Sequence, residues 1–311
     1  MLPHFFGAFC LLFLCANPIF GQSEGLSEDS RNFIKSQEDT MAFLAYSLLH
    51  DSTAEERFLA CRELIPALVE SLKQPNSFEY KFDRLGQHVS IQYPADSSFR
   101  IFTWQLHISA EEYRYYGAIQ LNETELQLFP LIDRSFELPE EDIQFMPLSP
   151  DRWYGNVVYG IQDITQENGD KYYLLYGADT YGAYRRRKLL DVLQFVGGKV
   201  RFGKPIFPAT SDQMARHRIL LEYSAAVSVT LRYDADLQQI MMDHLIMIEG
   251  PHGEGPVHVP DGSYEAFKLE DDGNWVYVEK VFDHIYDEAP REQSKQSGRD
   301  NRDIFGRPRG R

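Results

Sequence analysis

Residues 188–203 read Lys188-Leu189-Leu190-Asp191-Val192-Leu193-Gln194-Phe195-Val196-Gly197-Gly198-Lys199-Val200-Arg201-Phe202-Gly203. Two runs of branched and aromatic side chains flank a pair of glycines. Such runs favour extended backbone, where bulky side chains pack well on a pleated surface. Glycine takes positive φ without a Cβ clash, and a two-residue hairpin turn needs that at its centre. The stretch predicts strands over 188–196 and 199–203, paired antiparallel.

The same pattern extends in both directions. Val89, Ile91 and Tyr93, then Phe99-Arg100-Ile101-Phe102-Thr103-Trp104, carry strand signals, and further strands are predicted over 113–121, 125–132, 156–164, 171–178, 218–225, 227–233, 238–247, 263–269 and 275–282. Their separators are short and turn-forming, as in Asn168-Gly169-Asp170, Asp234-Ala235-Asp236 and Asp271-Asp272-Gly273-Asn274. No strand–helix alternation is present, which argues against a parallel doubly wound sheet. The strands fall into three clusters, 88–132, 154–207 and 217–282, with lengths close to propeller blades. No repeated motif marks the clusters, and three blades would leave a ring open. The expectation is therefore a large antiparallel meander over 76–287, as a curved sandwich or barrel-like sheet, with an incomplete propeller-like arrangement as the alternative. The Pro-containing stretch from Asp133 to Arg152 reads as a long surface connection within one domain.

Ahead of the strands the periodicity is helical. Met41, Phe43, Leu44, Leu48 and Leu49 recur at helix spacing from a start near Ser30 to an end near His50. Thr53-Ala54-Glu55-Glu56 is a capping box, in which the hydroxyl accepts a free backbone N–H and the glutamate reaches back. A second helix follows with Phe58, Leu59, Leu64, Ile65, Leu68, Val69 and Leu72; Pro66 predicts a kink or restart and Pro75 its end. Residues 30–75 are thus expected as a helical hairpin, and the fold class as α+β, mainly β.

Residues 1–21 contain no Lys, Arg, Asp or Glu and run almost wholly apolar from Phe5 to Ala16, breaking at Asn17-Pro18. That is the form of an export signal, too short to span a bilayer. Cleavage is predicted after Gly21, with 22–29 loose; large Phe13-Leu14 disfavour a lipid anchor on Cys15. Its removal would take Cys10 and Cys15, leaving Cys61 alone and no internal disulfide. Cys61 lies in the helical pattern and is expected as a buried structural thiol. The expected address is periplasmic or cell-surface, and not integral to the membrane.

The net charge is −16. Residues 288–311, expected as a disordered tail, hold seven bases and four acids, a balance of +3 that leaves −19 on the rest. So acidic a body repels phosphate backbones, so nucleic acid is not an expected partner.

Chemistry-bearing motifs are sparse. There is no Gly-x-Ser-x-Gly elbow, no His-Glu-x-x-His helix and no Cys-x-x-Cys pair. Among 47 acids, pairs such as Glu111-Glu112, Glu140-Glu141-Asp142 and Asp271-Asp272 carry little information. His252, Glu254 and His258 have metal-ligand chemistry, but no regular element fixes their spacing, so no metal or cofactor is expected. Asn122-Glu123-Thr124 fits a glycosylation acceptor. The densest unusual region is 153–184, where eight Trp and Tyr residues interleave with glycines. Rings beside polar groups bind sugars or peptides, although alternating rings are also ordinary sheet core. The candidate binding residues are Trp153, Tyr154, Tyr159, Tyr176, Asp179 and Tyr181, with Arg185-Arg186-Arg187-Lys188 as a polar rim. Asp243 and His244, inside an apolar run, complete the set; as strand neighbours they point to opposite faces and make a poor dyad.

The chain resembles a family of uncharacterised secreted proteins of about 300 residues typical of Bacteroidetes-type bacteria. The resemblance rests on Phe99–Trp104, on Trp153-Tyr154-Gly155 with Tyr159, on Tyr172-Tyr173-Leu174-Leu175-Tyr176-Gly177, and on the stretch from Arg187-Lys188 to Phe202-Gly203-Lys204-Pro205-Ile206-Phe207. Later echoes are Leu221-Glu222-Tyr223-Ser224, Leu231-Arg232-Tyr233, Asp243-His244-Leu245 and Pro260-Asp261-Gly262-Ser263-Tyr264. It implies an exported envelope protein and lends no activity or site residue. The leading expectation is a non-enzymatic protein that binds a glycan, a peptide or an envelope protein. The alternatives are a secreted hydrolase using carboxylates and His244, and a structural envelope component.

Overall fold

A computed structural model describes residues 25–281 except 110–111, 167–168, 181, 209–213, 251–252 and 254. The expected leader, the basic tail, Glu111, Tyr181, His252 and Glu254 lie outside the described residues.

Two helices come first, α1 (Glu28–His50) and α2 (Ala54–Leu72). The Ser27 hydroxyl caps α1 by accepting from Ser30 N at 3.1 Å. The capping box of α2 forms in both directions: Thr53 Oγ1 accepts from Glu56 N, and the Glu56 carboxylate accepts from Thr53 N, each at 3.2 Å. Pro66 removes one donor, yet α2 runs through it without restarting. Its inner face, with Cys61, Leu64, Leu68 and Leu72, stays packed against α1 and the first sheet, and that packing outweighs the lost bond. Cys61 is buried, and that burial pushes its thiol pKa up.

Thirteen strands among the described residues form three antiparallel sheets. The first has the order β1 (Ser90–Gln92), β2 (Phe99–Ser109), β3 (Glu112–Leu121), β4 (Leu128–Ile132). The second runs β5 (Val157–Thr165), β6 (Lys171–Asp179), β7 (Arg185–Val196), β8 (Lys199–Phe202), with β9 (Ile219–Ser224) sharing the free edge of β7 with β8. The third is β10 (Leu231–Asp234), β11 (Gln239–Glu249), β12 (Pro256–Leu269), β13 (Trp275–Val278). The hairpin at Gly197-Gly198 forms as expected, with Val196 paired to Lys199 and φ of 58° and 74° at the two glycines.

Side-chain alternation stacks these sheets. On β2, Phe102, Trp104 and Leu106 face the helices, while Phe99 and Ile101 face the second sheet. On β6, Tyr173 and Leu175 turn toward the first sheet, and Tyr172, Leu174 and Tyr176 toward the third. The layers are therefore helices, first sheet, second sheet, third sheet. The middle layer is covered on both faces, which explains why β6 reads as a continuous apolar run rather than an alternating one. A bulge between Val158 and Gly160 changes the face of β5, so that Val158 packs toward the first sheet and Ile164 toward the third.

The α+β, mainly β class with an N-terminal helical hairpin is what the chain forms, and among the described residues no sheet closes into a barrel. The strand cluster 217–282 divides between two sheets, because β9 joins the second sheet along β7. One expectation needs correction. The connection 133–152 is not simply superficial: Leu138, Ile143 and Leu148 are buried in the core between the first two sheets. Apolar side chains at those three positions draw it inward despite its prolines.

Candidate functional site

The core between the first and second sheets ends in a polar cluster. Asp179 closes β6, Arg187 stands opposite it on β7, and Glu222 stands opposite Arg187 on β9. Register alone thus sets a row of alternating charge across three strands. Period-two alternation turns that row toward the first sheet, where Tyr115 projects from β3 into the same core.

Both oxygens of Asp179 are engaged. Tyr115 Oη donates to Oδ1 at 2.8 Å and Tyr154 Oη donates to Oδ2 at 2.7 Å. Each tyrosine oxygen also accepts a bond, Tyr115 from Thr180 N at 2.6 Å and Tyr154 from Arg187 Nη1 at 3.1 Å. Arg187 donates from Nε and Nη2 to Glu222 Oε2 at 2.9 and 2.7 Å, and a further ion pair joins it to Glu140. Burial raises the Asp179 pKa above the usual carboxylate range, an effect that the two hydroxyls and Arg187 only partly offset. Burial, with the Asp179 charge, also raises the hydroxyl pKa of Tyr115 and of Tyr154. Burial opposes the charge on Arg187, but Tyr154 and Glu222 outweigh it and hold the guanidinium above its ordinary value.

A cleft of about 280 Å³ opens over this cluster. Tyr115, Tyr154, Asp179 and Arg187 contribute to it from below, and Glu112, Tyr113, Arg114, Ser135 and Phe136 from the rim. Phe136 is 60% exposed, and the Arg114 guanidinium lies 4.5 Å from its ring centre while pairing with Glu112 at 2.8 Å. The polar atoms of the floor bond one another, while Phe136 and the Glu112–Arg114 pair stand on the rim. Such a site is equipped to hold a ligand by ring contact and edge hydrogen bonds. Among the described residues it offers no nucleophile paired with a free base.

Of the residues singled out from sequence, Tyr154 and Asp179 line this cleft, and Arg187 from the expected polar rim joins them in its floor. Trp153 does not line it: it is core, and its backbone N–H and C=O tie to Ile132 O and Arg134 N at 3.0 and 2.9 Å. Tyr176 faces the third sheet, buried. Tyr159 reaches the same way, donating to Leu231 O at 2.7 Å. Tyr181 is outside the described residues.

Asp243 and His244 belong to the third sheet. Asp243 is buried and accepts from Thr230 N at 2.6 Å, a structural bond. His244 sits within a register shift, between Asp243 and Leu245, with Nδ1 2.8 Å from Asp261 and Nε2 3.6 Å from Glu265. His244 thus finds its carboxylates on the neighbouring strand rather than beside it in sequence. Among the described residues no group of three His, Cys, Asp or Glu side chains is placed to hold a metal ion, and no helix is long and apolar enough to cross a membrane.

Sequence reading missed Tyr115, Arg114 and Phe136. The sign available for Tyr115 was its place in the run Tyr113-Arg114-Tyr115-Tyr116, but only sheet stacking brings that run to Asp179. Comparison with protein-family models, with curated proteins and with solved structures finds no match to this chain.

Proposed function

We propose that the chain is an exported, non-enzymatic binding protein whose cleft above Asp179 takes a short stretch of glycan. The observation that carries this reading is the pairing of a fixed Tyr115–Asp179–Tyr154 floor with an exposed Phe136 ring at the rim. A sugar presents an apolar ring face beside hydroxyl edges. An aromatic rim accepts the face, and Glu112 and Arg114 reach the edges. The apolar, charge-free run from Phe5 to Ala16 is what supports the exported address.

The hydrolase alternative has less support. Glycoside hydrolysis needs one carboxyl group free to give a proton and a second free to attack or to activate water. Asp179 has both oxygens occupied, and His244 lies on the third sheet rather than in the cleft.

A glycan array probed with residues 22–311 tests the proposal, with Phe136→Ala and Asp179→Asn as controls and a short peptide library as the competing class. Saturable glycan binding that Phe136→Ala weakens by about tenfold, the equivalent of about 1.4 kcal/mol, is expected. Absence of glycan binding, preference for peptides, or identical binding by both variants overturns it. Release of a cleaved sugar would move the assignment to the hydrolase.

A further inference from the structure

A second concavity of about 610 Å³ shares no lining residue with the Asp179 cleft. It lies where the edge strand of the first sheet, β4, meets the edge strand of the second, β8. The connection at 147–151 closes it, held to β8 by paired backbone bonds between Leu148 and Phe202 at 2.8 and 2.9 Å. Its walls are apolar, with Phe129, Pro130 and Ile132 from β4, Pro147 and Pro150 from the connection, and Val200 from β8. Ile132 is 45% exposed although it belongs to a strand. The volume falls within the range of about 300 to 1,000 Å³ usual for small-ligand sites.

Two features narrow the occupant. Lys199 and Arg201 stand on the same face of β8 at the rim, and neither makes an ion pair with a described residue. On a chain of net charge −16, two uncommitted cations beside an apolar groove are complementary to an anionic head group. The only carboxylate among the described lining residues, Asp151, has its pKa held below the usual range by the Ser149 hydroxyl. Second, Pro130, Pro147 and Pro150 have no backbone N–H, so three wall positions cannot donate to an added peptide strand. Main-chain donors are what strand addition requires. An apolar chain requires none.

We infer that this groove binds a single-chain amphiphile with a carboxylate head, the chain lying between β4 and β8 and the head group meeting Lys199 and Arg201. This inference is independent of the glycan reading of the other cleft.

The test is calorimetric titration of residues 22–311 with dodecanoate below its micelle concentration, with dodecanol and dodecyltrimethylammonium as neutral and cationic counterparts. One dodecanoate per chain is expected, bound more tightly than either counterpart. Lys199→Gln combined with Arg201→Gln should weaken dodecanoate by about tenfold or more while leaving dodecanol unchanged, since only the charged head uses those donors. Ile132→Glu, at an exposed position that circular dichroism can verify as folded, should weaken both. Equal affinity for the three head groups, no saturable binding, an unaffected double variant, or saturation by an acidic peptide instead of dodecanoate would each overturn the inference.

Discussion

Arg218 Nε and Asp191 Oδ2 lie 3.0 Å apart with both side chains closed to solvent. The guanidinium also donates from Nη1 to the carbonyls of Ile143 and Met146, the latter at 2.8 Å. One buried cation therefore joins β7, the segment ahead of β9, and the 133–152 connection that forms a wall of both clefts. Removing one member of such a pair strands the other in a medium that solvates it poorly. Asp191→Ala is expected to cost about 3 to 5 kcal/mol, read as a lowered urea midpoint. Replacing both residues, Asp191→Leu with Arg218→Met, should cost less than Asp191→Ala alone.

Arg100 is buried, and no carboxylate among the described residues bonds it. It donates to Gln120 Oε1 at 2.8 Å, to the Tyr80 and Ser77 carbonyls at 2.5 and 3.0 Å, and to the Tyr93 hydroxyl at 3.0 Å. The rings of Phe82 and Phe102 each lie 4.9 Å from the guanidinium carbon. Carbonyl dipoles and ring faces here take the place of a counter-ion. Arg100→Met keeps the packing but orphans several acceptors, each worth roughly 1 to 3 kcal/mol. A fall in melting temperature larger than that of Gln120→Ala is the expected result.

Tyr154 Oη bridges Asp179 and Arg187, so Tyr154→Phe removes one acceptor and one donor from a buried network at once. Destabilisation of about 1 to 3 kcal/mol is expected by denaturant titration. The Asp179 pKa, already raised by burial, should rise further in a carboxyl NMR titration, because a bond favouring its charged form is gone.

Acid should loosen the link between the first two sheets. Asp96, on the β1–β2 loop, pairs with Lys171 on β6 and accepts from Ser98 and Tyr173. Burial works against its charge, but those bonds win and lower its pKa to about 2. A depressed carboxyl contributes stability above its unfolded pKa of about 3.9 and loses that contribution as pH falls toward the folded value. Stability of the parent should therefore decline between about pH 4 and pH 2 more steeply than that of Asp96→Asn. Parallel stability curves for the two proteins would refute this assignment.

The α2 cap offers a local check. Thr53→Ala deletes the acceptor for Glu56 N and the side-chain bond to Glu56, and should cost about 1 kcal/mol by thermal melting. Because the lost bonds are exposed, Thr53→Ser should restore most of it.

Local rules made much of the architecture legible. Capping chemistry gave the start of α2, paired glycines gave the β7–β8 hairpin, and strand alternation gave most of the strand positions. Pro66 shows where local rules stop, since the tertiary contacts of Cys61, Leu64 and Leu68 carry α2 through a residue that would weaken it in isolation. The candidate site was only half visible. Asp179 and Tyr154 stood out because both fall in the aromatic-rich stretch, but Tyr115 lies 64 residues from Asp179 along the chain.

The sequence by itself determined the periods: helix then strand, where each strand turns, and an acidic composition. Those are properties of neighbouring residues, set by backbone sterics and local hydrogen bonding. The tertiary structure decided which faces meet. It split the strands into three stacked sheets, moved β9 from the third cluster to the second sheet, and drew the 133–152 connection into the core. The physical reason is that burial is non-directional. Alternation marks a side chain for the interior, but only the packing of whole layers selects its partners, and with them the floor beneath Asp179 and the groove between β4 and β8.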